Sequence, residues 1–214
     1  MIDVENINCL DKKDNTEQLQ EAINYAPKSV AITFGRMNPF TSQHAQAIRM
    51  LHKVQADKKY IFLSHVREPS VSGAGPLPYD LKVVYIKYFL KRYKLNDVEV
   101  KWSNESHIMG CLSELYWEGF TDLTVIVRPE IAKVFKDIIP RYNSTIDPRT
   151  GKIGYDFNRI RVVNSGPRVY ESKDTSEKLR EYALMGNYEL FKENIPFEEE
   201  EIIKDLYNDL RLYM

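Results

Sequence analysis

Five short runs rich in β-branched and aromatic residues, spaced by stretches whose apolar side chains recur at helical intervals, restrict this chain's fold more than any other feature. The runs cover residues 29–34, 59–64, 98–102, 123–127 and 159–163. Helical patterns occupy residues 42–54, 80–93, 106–119 and 129–139, with Asp80 placed to cap the second and Pro129 suited to the first position of the fourth. Alternation of this kind predicts a doubly wound parallel sheet, because parallel neighbours are joined by right-handed crossovers rather than hairpins. The first run, Ser29-Val30-Ala31-Ile32-Thr33-Phe34, has few polar side chains, as a strand covered on both faces should.

Composition excludes several classes of protein. A length of 214 residues with 43% hydrophobic content supports one sizeable core, and a single domain is expected. The net charge of −1 supplies no global basic field for nucleic acid, and the basic residues between 87 and 94 fit the outer face of an amphipathic helix. No stretch approaches ~20 continuous apolar residues, and the start, Met1-Ile2-Asp3-Val4-Glu5-Asn6, lacks the basic and apolar regions of a signal peptide. A cytoplasmic protein without a membrane partner is expected. Cys9 and Cys111 have no spacing suited to zinc or redox work, and His44, His52, His65 and His107 include no pair arranged as metal ligands.

Chemistry concentrates where the first strand meets the first helix, in Phe34-Gly35-Arg36-Met37-Asn38-Pro39-Phe40-Thr41-Ser42-Gln43-His44. Gly35 lets the backbone approach a ligand closely, and a first helical turn offers unpaired N–H groups of partial positive charge. Thr41 and His44 are three apart and share one face of that turn. Two readings stand side by side here: a phosphate grip, or a plain N-cap at Thr41 or Ser42 with His44 a solvated helix residue.

The string from Gly35 to His44 resembles the signature of the nucleotidylyltransferase superfamily, which carries His-x-Gly-His or Thr-x-Gly-His after its first strand. It is most similar to phage-encoded members described as adenylyl- or cytidylyltransferases. Further landmarks follow in order: Phe62-Leu63-Ser64-His65, Pro76-Leu77-Pro78-Tyr79 with Lys82, then Lys178-Leu179-Arg180-Glu181 with Gly186-Asn187-Tyr188 and Phe191. The resemblance implies a Rossmann-like five-stranded sheet of order 3-2-1-4-5, with a crevice at the strand ends where the order reverses. It divides the chain into an α/β core over 29–168, a helical extension over 1–28 and a closing helical segment over 169–214.

It also implies transfer of a nucleoside monophosphate, AMP by preference or CMP, from a triphosphate carrying Mg²⁺ to a phosphorylated small-molecule acceptor. Thr41, His44 and Arg180 would be catalytic. Phe34, Gly35, Arg36, Asn38, Arg128, Thr175 and Ser176 would bind the nucleotide, and Ser64, His65, Lys82 and Arg168 the acceptor, with no protein metal ligand. The acceptor class includes nicotinamide mononucleotide, a phage-encoded enzyme would work in the host cytoplasm, and a homo-oligomer is left open.

Three positions depart from the family pattern. Gln43 stands where Gly is usual, Glu177 where Ser or Thr precedes the late Arg, and Arg128 lacks the preceding Gly-x-Asp. These departures keep a second expectation alive, a binding module on the same fold that does not turn its ligand over. The segment 174–177 also satisfies capping-box spacing, which explains it without a ligand. For Lys82, Arg168 and Arg36 the competing role is a solvated or salt-bridged cation. The Gly- and Pro-rich loop over 67–78 reads as a lid or a plain surface loop, and residues 142–158 as a second turn-rich excursion that forms a small hairpin or a partner contact. Helices are expected over 15–25, 176–185 and 197–212, the last with an acidic, solvated start.

Overall fold

The computed structural model describes residues 28–64, 75–105, 107–146, 151–167 and 176–214. Cys9, the helix expected over 15–25, His65, most of the 67–78 loop, Arg168 and Thr175 lie outside the described residues.

The elements in order are β1 (Ser29–Gly35), α1 (Ser42–Lys53), β2 (Lys58–Leu63), α2 (Tyr79–Arg92), β3 (Glu99–Lys101), α3 (Ile108–Trp117), β4 (Asp122–Val127), α4 (Pro129–Arg141) and β5 (Arg159–Asn164). Three closing helices follow: α5 (Ser176–Leu184), α6 (Tyr188–Lys192) and α7 (Glu200–Tyr213). All four strand pairings are parallel, and the sheet runs β3-β2-β1-β4-β5. The expected order therefore holds, with β1 central and the reversal between β1 and β4.

Alternation along β1 shows how the sheet divides the core. Ala31 faces a layer made by Ile48 and Leu51 of α1 and Ile86 and Phe89 of α2. Val30 and Ile32 face the opposite layer, built from Cys111 and Leu115 of α3 and Ala132 and Ile139 of α4. The closing helices join the first layer through Leu179, Phe191, Leu206 and Leu210.

Several local expectations are corrected. Asp80 is not the cap of α2: Pro78 holds that position with extended backbone, and Asp80 sits in the first turn, where its charge complements the helix dipole. The helix expected from 106 starts at Ile108, capped by His107, whose Nδ1 accepts the Gly110 N–H at 3.1 Å. The acidic start of the last helix is ion-paired rather than merely solvated, Arg92 meeting Glu198 and Glu199, and Lys192 meeting Glu200. In the second excursion, Ile146 and Ile153 form a single antiparallel bridge, the narrow base of a hairpin.

Candidate active site

At the end of β1 the chain turns through residues 36–41 into α1, and Thr41 is the N-cap. Its Oγ1 accepts the His44 N–H at 3.4 Å, and its own N–H donates to His44 Nδ1 at 3.1 Å. A backbone N–H only donates, so Nδ1 is unprotonated and the ring proton sits on Nε2. Thr41 Oγ1 lies 2.8 Å from the same Nδ1. Burial, reinforced by the positive charge of Arg128, lowers the His44 pKa to about 3, so the imidazole is neutral at physiological pH. The Phe40 ring stacks on it with centroids 6.1 Å apart. Thr41 is thus the N-cap that one reading required, while His44 is a partly buried, oriented donor rather than a solvated residue.

Two helices, α2 and α5, take carbonyls of this loop, and a third segment offers its own carbonyl to the start of α1. Lys82 Nζ, from the first turn of α2, donates to Arg36 O at 3.3 Å and to Ser64 O at 2.7 Å. Arg180 Nη1, from α5, donates to Asn38 O at 2.6 Å, and Ser176 Oγ donates to Pro39 O at 3.0 Å. Ser42 Oγ donates to Asn194 O at 3.3 Å. The loop between β1 and α1 is therefore gripped by α2 and by the closing segment together.

Lys82 is buried and has no salt-bridge partner among the described residues, unlike the solvated or salt-bridged cation of the competing expectation. It is 5% exposed, and loss of water on burial lowers its pKa to about 8. Beside it, the buried Ser64 Oγ has no hydrogen-bond partner among the described residues. Arg180 is held below its usual range by burial and by Arg36, against the opposing pull of Glu177. Glu177 is thus a counter-charge to Arg180. Arg128, at the tip of β4, projects its field onto His44 from the neighbouring strand.

The structure gathers Thr41, His44, Arg36, Ser176, Arg180, Ser64 and Lys82 around one loop at the C-terminal ends of β1 and β2, with Arg128 at the end of β4. Gly35 closes β1, its backbone oxygen accepting the Ser64 N–H at 3.0 Å. Phe34 packs against the α3 and α4 layer. The side chain of Asn38 braces the loop against Leu77: it is 3% exposed, Nδ2 donates to Leu77 O at 3.0 Å, and Oδ1 accepts the Leu77 N–H at 3.1 Å.

Sequence reasoning missed that brace, and it missed Gln46, whose Nε2 donates to Pro167 O at 3.0 Å and ties the segment after β5 to α1. Gly166 permits this approach: its φ is +105°, and a Cβ there would lie 2.7 Å from Gln46 Nε2. An aromatic pair was also missed, Tyr79 and Trp102 in edge contact at 4.5 Å beside Lys82. A cavity of about 320 Å³ between α2 and α7, lined by Leu81, Tyr85, Tyr88, Ile202 and Asp209 among others, includes none of the motif residues. Among the described residues no helix is long and apolar enough to cross a membrane.

A parallel sheet whose strand order reverses between β1 and β4 defines the class of doubly wound, Rossmann-like α/β folds. No protein-family model matches the chain, and no curated protein matches its sequence. Among solved structures, the fold is shared with a protein described as a nicotinate-nucleotide adenylyltransferase from Vibrio parahaemolyticus, with TM-score 0.52 and 16% identity over 85% of this chain and 99% of that one. It is shared also with Plasmodium falciparum nicotinic acid mononucleotide adenylyltransferase complexed with NaAD, with TM-score 0.54 and 10% identity over 87% of this chain and 97% of the other. The same Plasmodium protein complexed with APC gives TM-score 0.52. At these identities the likeness is one of fold.

Proposed function

We propose that this protein is a nucleotidylyltransferase that moves AMP from ATP to a phosphorylated acceptor of the pyridine mononucleotide type, releasing pyrophosphate. The observation that carries the reading is the meeting of the two motifs: Ser176 and Arg180 hydrogen-bond the same loop that ends in Thr41 and His44. The fold shared with proteins described as adenylyltransferases supports it.

In this reaction an acceptor phosphate oxygen forms a bond to the α-phosphorus while the bond from that phosphorus to the bridging oxygen breaks, and pyrophosphate departs with the electron pair. No protein nucleophile is needed, so catalysis is positioning and charge stabilisation. Neutral His44, its Nδ1 occupied by Thr41, would offer Nε2–H to an α-phosphate or bridging oxygen. Arg180, Ser176 and Thr175 would hold the β- and γ-phosphates, with Arg36 and Arg128 adding positive charge. Lys82 and Ser64 would receive the acceptor phosphate, with His65 and Arg168 nearby in sequence. Asn38 would act through its contacts rather than by touching nucleotide.

Among the described residues no three His, Cys, Asp or Glu side chains converge as metal ligands. In the proposed reaction Mg²⁺ would be held by triphosphate oxygens and water, where it would offset phosphate charge. Both substrates are cytoplasmic metabolites, and the reading places the protein with them.

Pyrophosphate release measured across ATP and CTP, each with nicotinamide mononucleotide, nicotinic acid mononucleotide and a phosphorylated alcohol, tests the proposal. Turnover with ATP and a pyridine mononucleotide that collapses in His44→Ala supports it. A second reading, a binding module without turnover, draws on Glu177, whose charge acts on Arg180 where a triphosphate would compete. Nucleotide binding without release under any pairing would favour that reading and sink the first.

A further inference from the structure

One residue bonds both the segment leading into α2 and the helix α5. The Asn38 amide meets the Leu77 backbone at two points, as donor to its carbonyl and acceptor from its N–H, across 39 positions of sequence. The main-chain oxygen of the same residue receives Arg180 across 142 positions. Leu77 leads directly into α2, which carries Lys82, so the first contact belongs to the acceptor side and the second to the closing helix. The fit at the amide is close: a Cβ added to Gly75 would stand 3.3 Å from Asn38 Nδ2. Asn38 and Leu77 are both buried, and a buried amide pairing of this kind is costly to leave half made.

We propose that Asn38 is a positioning residue, which sets the acceptor-side segment against the loop carrying Thr41 and His44 so that the acceptor approaches in line with the phosphates. The kinetic part of this inference rests on the nucleotidylyl-transfer reading; the geometric part does not. An Asn side chain is suited to the task because it presents one donor and one acceptor in a plane, the complement of a peptide group. A side chain directed at nucleotide would have to surrender both bonds to Leu77.

Asn38→Asp separates this role from simple support of the fold. The variant keeps the size and the acceptor but replaces the donor, and once ionised it sets a carboxylate against Leu77 O. With ATP and a pyridine mononucleotide at pH 8, the acceptor KM is expected to rise about tenfold, the size of one lost buried hydrogen bond, with the ATP KM nearly unchanged. As pH falls and the carboxyl takes up a proton, the O–H again donates to Leu77 O, and the acceptor KM returns toward the wild-type value. Wild type has no such recovery below about pH 7, where Lys82 is already charged. An acceptor KM equal to wild type at every pH, or equal losses for both substrates with no recovery in acid, would overturn the proposal.

Amide hydrogen exchange distinguishes its failure from failure of the reaction itself. If the wild-type protein turns over no substrate pair, Asn38→Ala is still expected to speed exchange at the Leu77 N–H while the amides of β1 and β4 stay protected. Unchanged exchange at Leu77 in that variant would refute the brace directly.

Discussion

Arg180 donates Nη1 to the main-chain oxygen of Asn38 at 2.6 Å, so the closing helix is locked to the loop that begins α1. Glu177 stabilises the charged guanidinium from one turn away, while burial and Arg36 disfavour it. The arginine is poised between a main-chain partner and an arriving anion. Arg180→Ala is expected to lower kcat by about 10²–10³, the effect of removing one preorganised charge-stabilising donor. Arg180→Lys should recover only part of it, because an ammonium lacks the planar fork that serves a carbonyl and a phosphate together. Steady-state pyrophosphate release reads both variants.

His44 links acid stability to the site. The unfolded chain takes up this proton near 6.5 and the folded protein only at about 3. Between those values the unfolded state binds more protons, so stability falls as pH drops through that window and is flat in this group above it. Asn has no proton to take up, and His44→Asn should remove that share of the slope, at most about 1.4 kcal/mol per pH unit. Urea midpoints of both proteins between pH 4 and 7 give the difference directly.

Lys82 sets the alkaline limit. Its folded pKa of about 8 lies below the 10.5 of the unfolded chain, so the buried ammonium costs stability below about 8 and that cost disappears as pH rises toward 10.5. Function runs the other way, since deprotonation removes positive charge from the acceptor side. The kcat/KM for acceptor is expected to fall above about pH 8, and Lys82→Arg to move that limb beyond the alkaline range. Lys82→Met should raise the acceptor KM at every pH, because Arg36 O and Ser64 O both lose their donor.

Phe40 joins the core to the imidazole. It is 2% exposed, meets Phe89 edge-on at 5.1 Å and Phe197 at 5.9 Å, and stacks on His44. Phe40→Ala is expected to cost about 3–5 kcal/mol by cavity formation. Phe40→Leu should cost less while still reducing kcat, because the ring that fixes the His44 plane is gone. Denaturant midpoints and turnover measured on the same samples separate the two effects.

Much of this architecture was legible because it is written in local pattern. Alternation along Val30, Ala31 and Ile32 follows from the two-residue repeat of a strand with two covered faces, and the structure divides those residues between two core layers. The three-residue spacing of Thr41 and His44 announced their contact, because helical geometry brings such positions together wherever they occur. The sheet order followed from the family resemblance, which added the topology that periodicity alone leaves open.

Long-range contacts were not legible. Nothing in Asn38 or Leu77 signals that they pair, and Lys82 looks from its helix like any surface cation until two strand ends supply its carbonyls. The cap of α2 was misread for a related reason: Asp80 has the right side chain, but backbone dihedrals decide which residue caps, and Pro78 holds the extended conformation.

The bracing of the β1–α1 loop has a consequence for how the protein comes into being. The fifth strand ends at Asn164, whereas Ser176, Arg180 and Asn194, which supply or accept three of the bonds to residues 38–42, all lie beyond it. A nascent chain emerging from the ribosome can therefore complete its sheet while the β1–α1 loop is secured from one side only. The second set of bonds waits for the chain beyond β5, so a product cut short after the fifth strand would keep its sheet around a half-fastened loop.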